Sequence, residues 1–161
     1  MMPKRTVGAS VSVAAILMAL TVAPPVQADN NRLNDSVVAN VYQLQHDAGC
    51  TNDVTLNPRL RLAAQWHAND VLRNRALNGD TGSDGSTVQD RARATGFTGI
   101  VAETVAINPA LAISGIEILN LWYHRPDYKS IMSDCANTHI GVWSENSIDR
   151  SVVVAVYGQS A

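Results

Sequence analysis

Residues 78–87 read Asn-Gly-Asp-Thr-Gly-Ser-Asp-Gly-Ser-Thr and gather carboxylates, hydroxyls and glycines in one short stretch. Asp80-Thr81-Gly82 is the tripeptide with which aspartic proteases present a catalytic carboxylate, and Asp80 to Gly85 looks like the start of a calcium loop. An aspartic protease needs that tripeptide twice, each after an apolar strand, because its two close carboxylates share one proton. Here it follows a helical pattern through Leu77-Asn78-Gly79, and no second copy exists, so only a homodimer would complete the pair. An EF-type calcium loop needs oxygen ligands at its first, third and fifth positions and a bidentate glutamate at its twelfth. Counted from Asp80, the third position is Gly82 and the twelfth is Arg91. What remains of Asp80, Asp84 and Gly85 is turn chemistry.

Other reactive residue types give no constellation. His46, His124 and His139 are isolated and not at metal-ligand spacing. His67 falls on the apolar side of a helical pattern and reads as a core histidine satisfied by a hydrogen bond. No Gly-x-Ser-x-Gly nucleophile elbow and no phosphate-cradling glycine loop occur. Asn34-Asp35-Ser36 fits a glycosylation sequon but lies inside a predicted helix.

The elements that must position these residues follow from periodicity. Asp29 to Ala48 carries Leu33, Val37, Val38, Val41 and Leu44 on one helical face. Asn57-Pro58 opens a second helix to about Leu77, with Asn57 as N-cap and Pro58 in the first turn. Thr87 to Ala94 reads as a short helix stopped at Thr95-Gly96, Val101 to Ile107 as a strand, and Pro109 to Tyr123 as a helix with Trp122 as a core anchor. His139 to Trp143 and Ser151 to Tyr157 form a predicted hairpin with a longer polar loop, Ser144 to Arg150. Helices followed by a small antiparallel sheet predict an α+β domain.

Residues 1–28 are expected to be a secretory signal peptide. Lys4 and Arg5 precede the apolar run from Val11 to Val22, and Pro24-Pro25 and small residues up to Ala28 follow it. No later run is long enough to span a membrane, so a single exported domain over 29–161, with no transmembrane anchor, is expected. Without Lys4 and Arg5, ten basic residues face fourteen acidic ones, a net charge of −4 with no basic run. That balance gives no footprint for nucleic acid or an anionic membrane. Cys50 and Cys135, an even count in an exported chain, favour a disulfide over two free thiols, provided their α-carbons come within about 7 Å.

Longer motifs carry a resemblance. Ala64-Gln65-Trp66-His67-Ala68-Asn69-Asp70-Val71, Asp80-Thr81 … Asp84-Gly85-Ser86, Asp90-Arg91-Ala92-Arg93 … Gly96-Phe97, Glu103-Thr104-Val105-Ala106, Trp122 to Lys129 and Ile140-Gly141-Val142 occur in that order. Together they resemble the CAP superfamily (cysteine-rich secretory, antigen 5 and pathogenesis-related proteins; SCP-like in bacteria), and most of all small secreted actinobacterial, mycobacterial-type members. The resemblance implies a three-layer α–β–α sandwich and a cleft with two histidines and two acidic residues, which in some members binds zinc or another divalent cation.

Carried over position by position, the cleft residues here are Asp80 and Tyr128 in place of the two histidines, Glu103 for one acid and Arg125 for the other. Two imidazoles and two carboxylates suit a borderline metal, whereas a guanidinium cannot deprotonate and pairs with carboxylates instead. Arg125 is therefore expected either to neutralise Asp80 and Glu103 in place of a metal or to face solvent at a helix end. A divalent cofactor is disfavoured, with Asp80 and Glu103 as its weak candidate ligands. The expected role is a monomeric, non-enzymatic protein that binds an extracellular ligand, lipid, sterol or protein partner. The alternative is a metal-assisted hydrolase or peptidase working around Glu103.

Overall fold

The computed structural model describes residues 28–160, so the signal-peptide expectation for the N-terminal segment lies outside the described residues. The first helix, α1 (Ala28–Asp47), buries Asn34, Val37, Val41 and Gln45, a stripe at helical spacing with an amide at each end. Gly49, at φ +94°, takes the left-handed conformation that ends the helix. A two-residue strand, β1 (Thr55–Leu56), leads into α2 (Pro58–Arg73), whose first amides are capped by Asn57 Oδ1. The helix α2 turns Leu60, Ala63, Ala64, His67, Ala68 and Val71 inward. It stops at Asn74 rather than near Leu77, because the Asn74 side chain accepts from Ala76 N and starts a turn instead.

The short α3 (Val88–Ala94) begins in a reciprocal Thr87–Asp90 capping box. After β2 (Val101–Asn108), the predicted helix from Pro109 starts only at Gly115. Ser114 and Glu117 form the capping box that fixes its start, and 109–114 is a loop tied down by Asn108 Nδ2 donating to Ala112 O. That helix is α4 (Gly115–Tyr123), followed by α5 (Pro126–Ser133), which the sequence reading did not separate.

The hairpin also differs from expectation. Its strands β3 (His139–Ser147) and β4 (Arg150–Gly158) run on to a two-residue turn, Ile148-Asp149. The polar residues taken for a loop sit in β3 because α1 gives them partners: Asn30 Nδ2 donates to Ser144 O, and Asn146 Nδ2 donates to Asn30 Oδ1.

The sheet order is β1-β3-β4-β2, with β1 parallel to β3 and the other pairs antiparallel. Alternation along the fully buried β4 builds two cores. Val152, Val154 and Val156 pack with α2 and α3, while Val153, Ala155 and Tyr157 pack with α1, α4 and α5. This is the expected three-layer α–β–α sandwich, with a mixed sheet in place of a purely antiparallel one. Gly141 is required where β3 meets α2, since a Cβ there would lie 2.0 Å from Arg61 N. Cys50 and Cys135 form a disulfide with α-carbons 5.2 Å apart, fastening the end of α1 to the segment after α5.

Candidate functional site

The loop 79–87 is folded around other residues' side chains. Asp70, on the last turns of α2, accepts from Ser83 N and Ser83 Oγ, both at 2.7 Å. Within the loop, Gly82 N donates to Ser86 O and Ser86 N donates to Asp84 Oδ1, which makes a compact turn at the positive-φ Gly85. The Asp-Thr-Gly has no catalytic arrangement: Asp80 is exposed and its carboxylate meets one phenol, Tyr128, at 3.3 Å.

Arg91, on α3, holds this loop from beneath. Its Nη2 donates to Asp80 O and to Glu103 Oε1, each at 2.8 Å, and its Nη1 donates to Ser86 O at 2.9 Å. Arg91 and Glu103 are both buried, at 6% and 2% exposure, so one guanidinium ties both ends of the loop to a carboxylate inside β2. The guanidinium beside Glu103 is thus that of Arg91 and not of Arg125, and it meets Asp80 at the backbone carbonyl only. Arg125 instead lies at the N-terminal end of α5, half exposed, where it pairs with Asp127 at 2.7 Å and covers the Tyr128 ring at 3.6 Å. Of its two expected roles, the solvent-facing one describes it.

His67 is fully buried, and its Nε2 lies 2.9 Å from Gly79 O, as a core histidine should. Burial first, and then the Arg91 charge, push its pKa below the ordinary value, so the ring is neutral and donates Nε2–H to that carbonyl. The 3.5 Å separation from Glu103 Oε1 is therefore a polar contact and not an ion pair. Burial drives the Glu103 carboxyl up to about 8, against the opposing pull of Arg91. Three atoms of this cluster, His67 Nδ1, Glu103 Oε2 and Arg91 Nε, have no hydrogen-bond partner among the described residues. Tyr128 is also raised, first by burial and then by the nearby Asp80 charge.

Of the four carried-over positions, Asp80 and Tyr128 touch, Arg125 covers the Tyr128 ring, and Glu103 is sealed beneath with Arg91 and His67. The buried role of Arg91 is not visible in sequence, because a seven-residue helix is too short for periodicity to show its buried side. A protonated buried Glu103 also predicts a pH signature. Between the unfolded value of 4.5 and about 8, the folded chain holds a proton that the unfolded chain has released, so stability falls as pH rises. His67 acts the opposite way, but only below 6.5. Thermal unfolding from pH 6.5 to 8 should therefore show Tm falling in the wild type and a flatter profile in Glu103→Gln. An unchanged slope in that variant assigns the effect elsewhere.

A two-core sandwich with a mixed four-stranded sheet, an acid on its β2 edge strand and a capped loop over it, defines the class of fold. The family model described as CAP, cysteine-rich secretory protein family, matches residues 38–157. The chain belongs to that family. Its fold is similar to that of an outer surface protein from Borrelia burgdorferi, with a TM-score of 0.69, 16% identity, and 79% of this chain and 92% of that one covered. It is also similar to an extracellular protein containing an SCP domain from Bacillus anthracis, with a TM-score of 0.70, 12% identity, and 86% and 45% covered. A third similar structure is NaASP2 with Zn2+, with a TM-score of 0.62, 7% identity, and 86% and 85% covered. At these identities the likeness is one of fold. No curated protein matches the chain.

Proposed function

We propose that this chain is a non-enzymatic, metal-independent binding protein that acts outside the cell. The observation that carries the reading is Arg91, whose guanidinium sits against Glu103 and the loop carbonyls and so takes the acceptors that a cation would need. The donor set does not fit a divalent ion. Among the described residues no three His, Cys, Asp or Glu side chains converge, one Glu103 oxygen is committed to Arg91, and Tyr128 is held protonated by burial.

The enzyme reading has one observation in its favour, a buried acid with a raised pKa beside a histidine, which is a general acid–base pattern. Against it, Glu103 and His67 are closed to solvent, and no nucleophile lies within their hydrogen bonds. The export of the chain and its partner, whether small ligand, lipid or protein, belong to this proposal. So does its action as a monomer.

Native mass spectrometry of the protein recovered from the culture medium of its source tests the reading. A chain that begins near Asp29 and carries a co-purifying organic mass is the expected result. Turnover of ester or peptide substrates that disappears in Glu103→Gln would instead establish the enzyme.

A further inference from the structure

In the 78–87 stretch, two glycines follow a residue with a side-chain carbonyl: Asn78-Gly79 and Asp84-Gly85. Without a Cβ, glycine presents the least hindered backbone N–H, so each pair sets an amide nitrogen beside an electrophilic Cγ. The fold treats the two pairs oppositely. Gly85 N donates to Gly82 O at 2.9 Å, and Asp84 Oδ1 accepts from Ser86 N at 2.9 Å, so both reacting groups are committed. Asn78, by contrast, is exposed, and no heavy atom lies within 4 Å of the place a Cβ would take on Gly79. Hydrogen bonds there engage Asn74 Oδ1, Leu77 O and Gly79 O, and among the described residues none engages the Asn78 carboxamide or Gly79 N–H. No other asparagine in the chain precedes glycine. Asparagine is a thermolabile side chain, and here nothing in the fold shields it.

The place matters because Asn78 stands between two anchored carbonyls. Arg150 Nη2 donates to Leu77 O at 3.2 Å, and His67 Nε2 donates to Gly79 O at 2.9 Å. Both donors belong to buried side chains, so the main chain from 77 to 79 has a fixed distance to span.

We propose that Asn78 is a self-modification site, where the chain converts its own asparagine to aspartyl and isoaspartyl forms without an enzyme. The Gly79 nitrogen loses its proton to water and bonds to Asn78 Cγ. The Cγ–Nδ2 bond breaks, and Nδ2 takes up a proton and leaves as ammonia, which closes a succinimide ring. Water then adds to either ring carbonyl. Opening on one side leaves an aspartyl residue, and opening on the other runs the main chain through the side-chain carbons as an isoaspartyl link. The net change is ammonia lost and water gained, with one added negative charge. The isoaspartyl product also has one more methylene in its main chain. Between two fixed carbonyls that methylene shifts Gly79 O away from His67 and loosens the start of the loop. The reaction needs no ligand and is independent of the reading built on the Glu103 cluster.

Peptide mapping of the oxidised protein during incubation at neutral pH and 37 °C tests it, since cleavage after Arg75 and Arg91 puts both dipeptides in one fragment. Asn78 should convert at least about tenfold faster than any other asparagine, and at a rate within about tenfold of that in urea. Asp84 should isomerise at least about tenfold faster in urea than in the folded chain, because unfolding releases Gly85 N. Gly79→Ala meets no neighbour and no positive φ, so it should keep or slightly raise Tm while slowing conversion by about tenfold or more. The purified isoaspartyl form should melt about 3–6 °C below wild type. Asn78→Asp has the charge without the methylene and should melt within about 1 °C of wild type. Conversion of Asn78 in urea but not in the folded chain would overturn the proposal, since the fold would then be restraining it. It is equally overturned if Gly79→Ala converts as fast as wild type, or if the isoaspartyl form melts with wild type.

Discussion

Arg91→Ala is expected to lower stability at pH 7 by about 3 kcal/mol or more, since it leaves several buried acceptors without a donor at about 1–3 kcal/mol each. The substitution takes away the donor to Glu103 Oε1 and, at the same time, the donors to Asp80 O and Ser86 O. Glu103 will answer by keeping its proton to higher pH, because the charge that had opposed its burial is gone. The deficit should therefore widen above pH 8, which a simple packing defect would not do. Arg91→Lys keeps the charge but not the two-pronged geometry, so it should recover less than half of the loss. Urea unfolding at pH 7 and pH 9 checks both statements, and equal losses at the two pH values would detach the effect from Glu103. Arg125→Ala serves as the control. Its partner Asp127 is more than half exposed, so a change within about 1 kcal/mol is expected.

The second large effect concerns the covalent tie. Cys50 and Cys135 are 85 positions apart, and opening a loop of that length releases about 4–5 kcal/mol of unfolded-state entropy in the chain-entropy account. The paired Cys50→Ser, Cys135→Ser variant should lose about that much in denaturant unfolding. In the native fold the two segments stay joined by Asn52 Nδ2 donating to Cys135 O and Gln45 Nε2 donating to Asn137 O. Hydrogen-exchange protection of the buried β4, whose core amides open only with the whole chain, should therefore fall by about the same 4–5 kcal/mol. Unchanged protection of β4 would contradict the unfolded-state account.

Much of the architecture was legible in the sequence, because apolar spacing reports a buried face directly. The helical face through Val37 and Val41 and the valine run of β4 are of this kind. The errors lie where polar groups decide. The predicted helix from Pro109 ignored the Ser114–Glu117 box that starts it six residues later. The polar segment 144–147 was read as a loop because its partner Asn30 lies more than a hundred residues away. Two-residue β1 is below the length at which alternation can be seen.

The site followed the same division. Motif order located Asp80, Glu103 and Tyr128, and hydrogen bonds show where each lies: Tyr128 on Asp80, and Glu103 on Arg91. Which of ten arginines would be buried could not be read from charge pattern. Arg125 stood beside Asp127 in sequence and paired with it there, whereas Arg91 reaches twelve residues ahead to Glu103 across a helix–strand gap.

At the centre of the site the Arg91 guanidinium stands against Glu103 and the loop carbonyls, where a divalent ion would need its ligands. Calorimetric titration of zinc into the oxidised wild-type protein at pH 7 tests that most directly, with Glu103→Gln and Asp80→Asn alongside. The account predicts no saturable uptake by the wild type up to about 1 mM zinc and no difference among the three proteins. One zinc bound per chain at micromolar affinity, and lost in both variants, would contradict it.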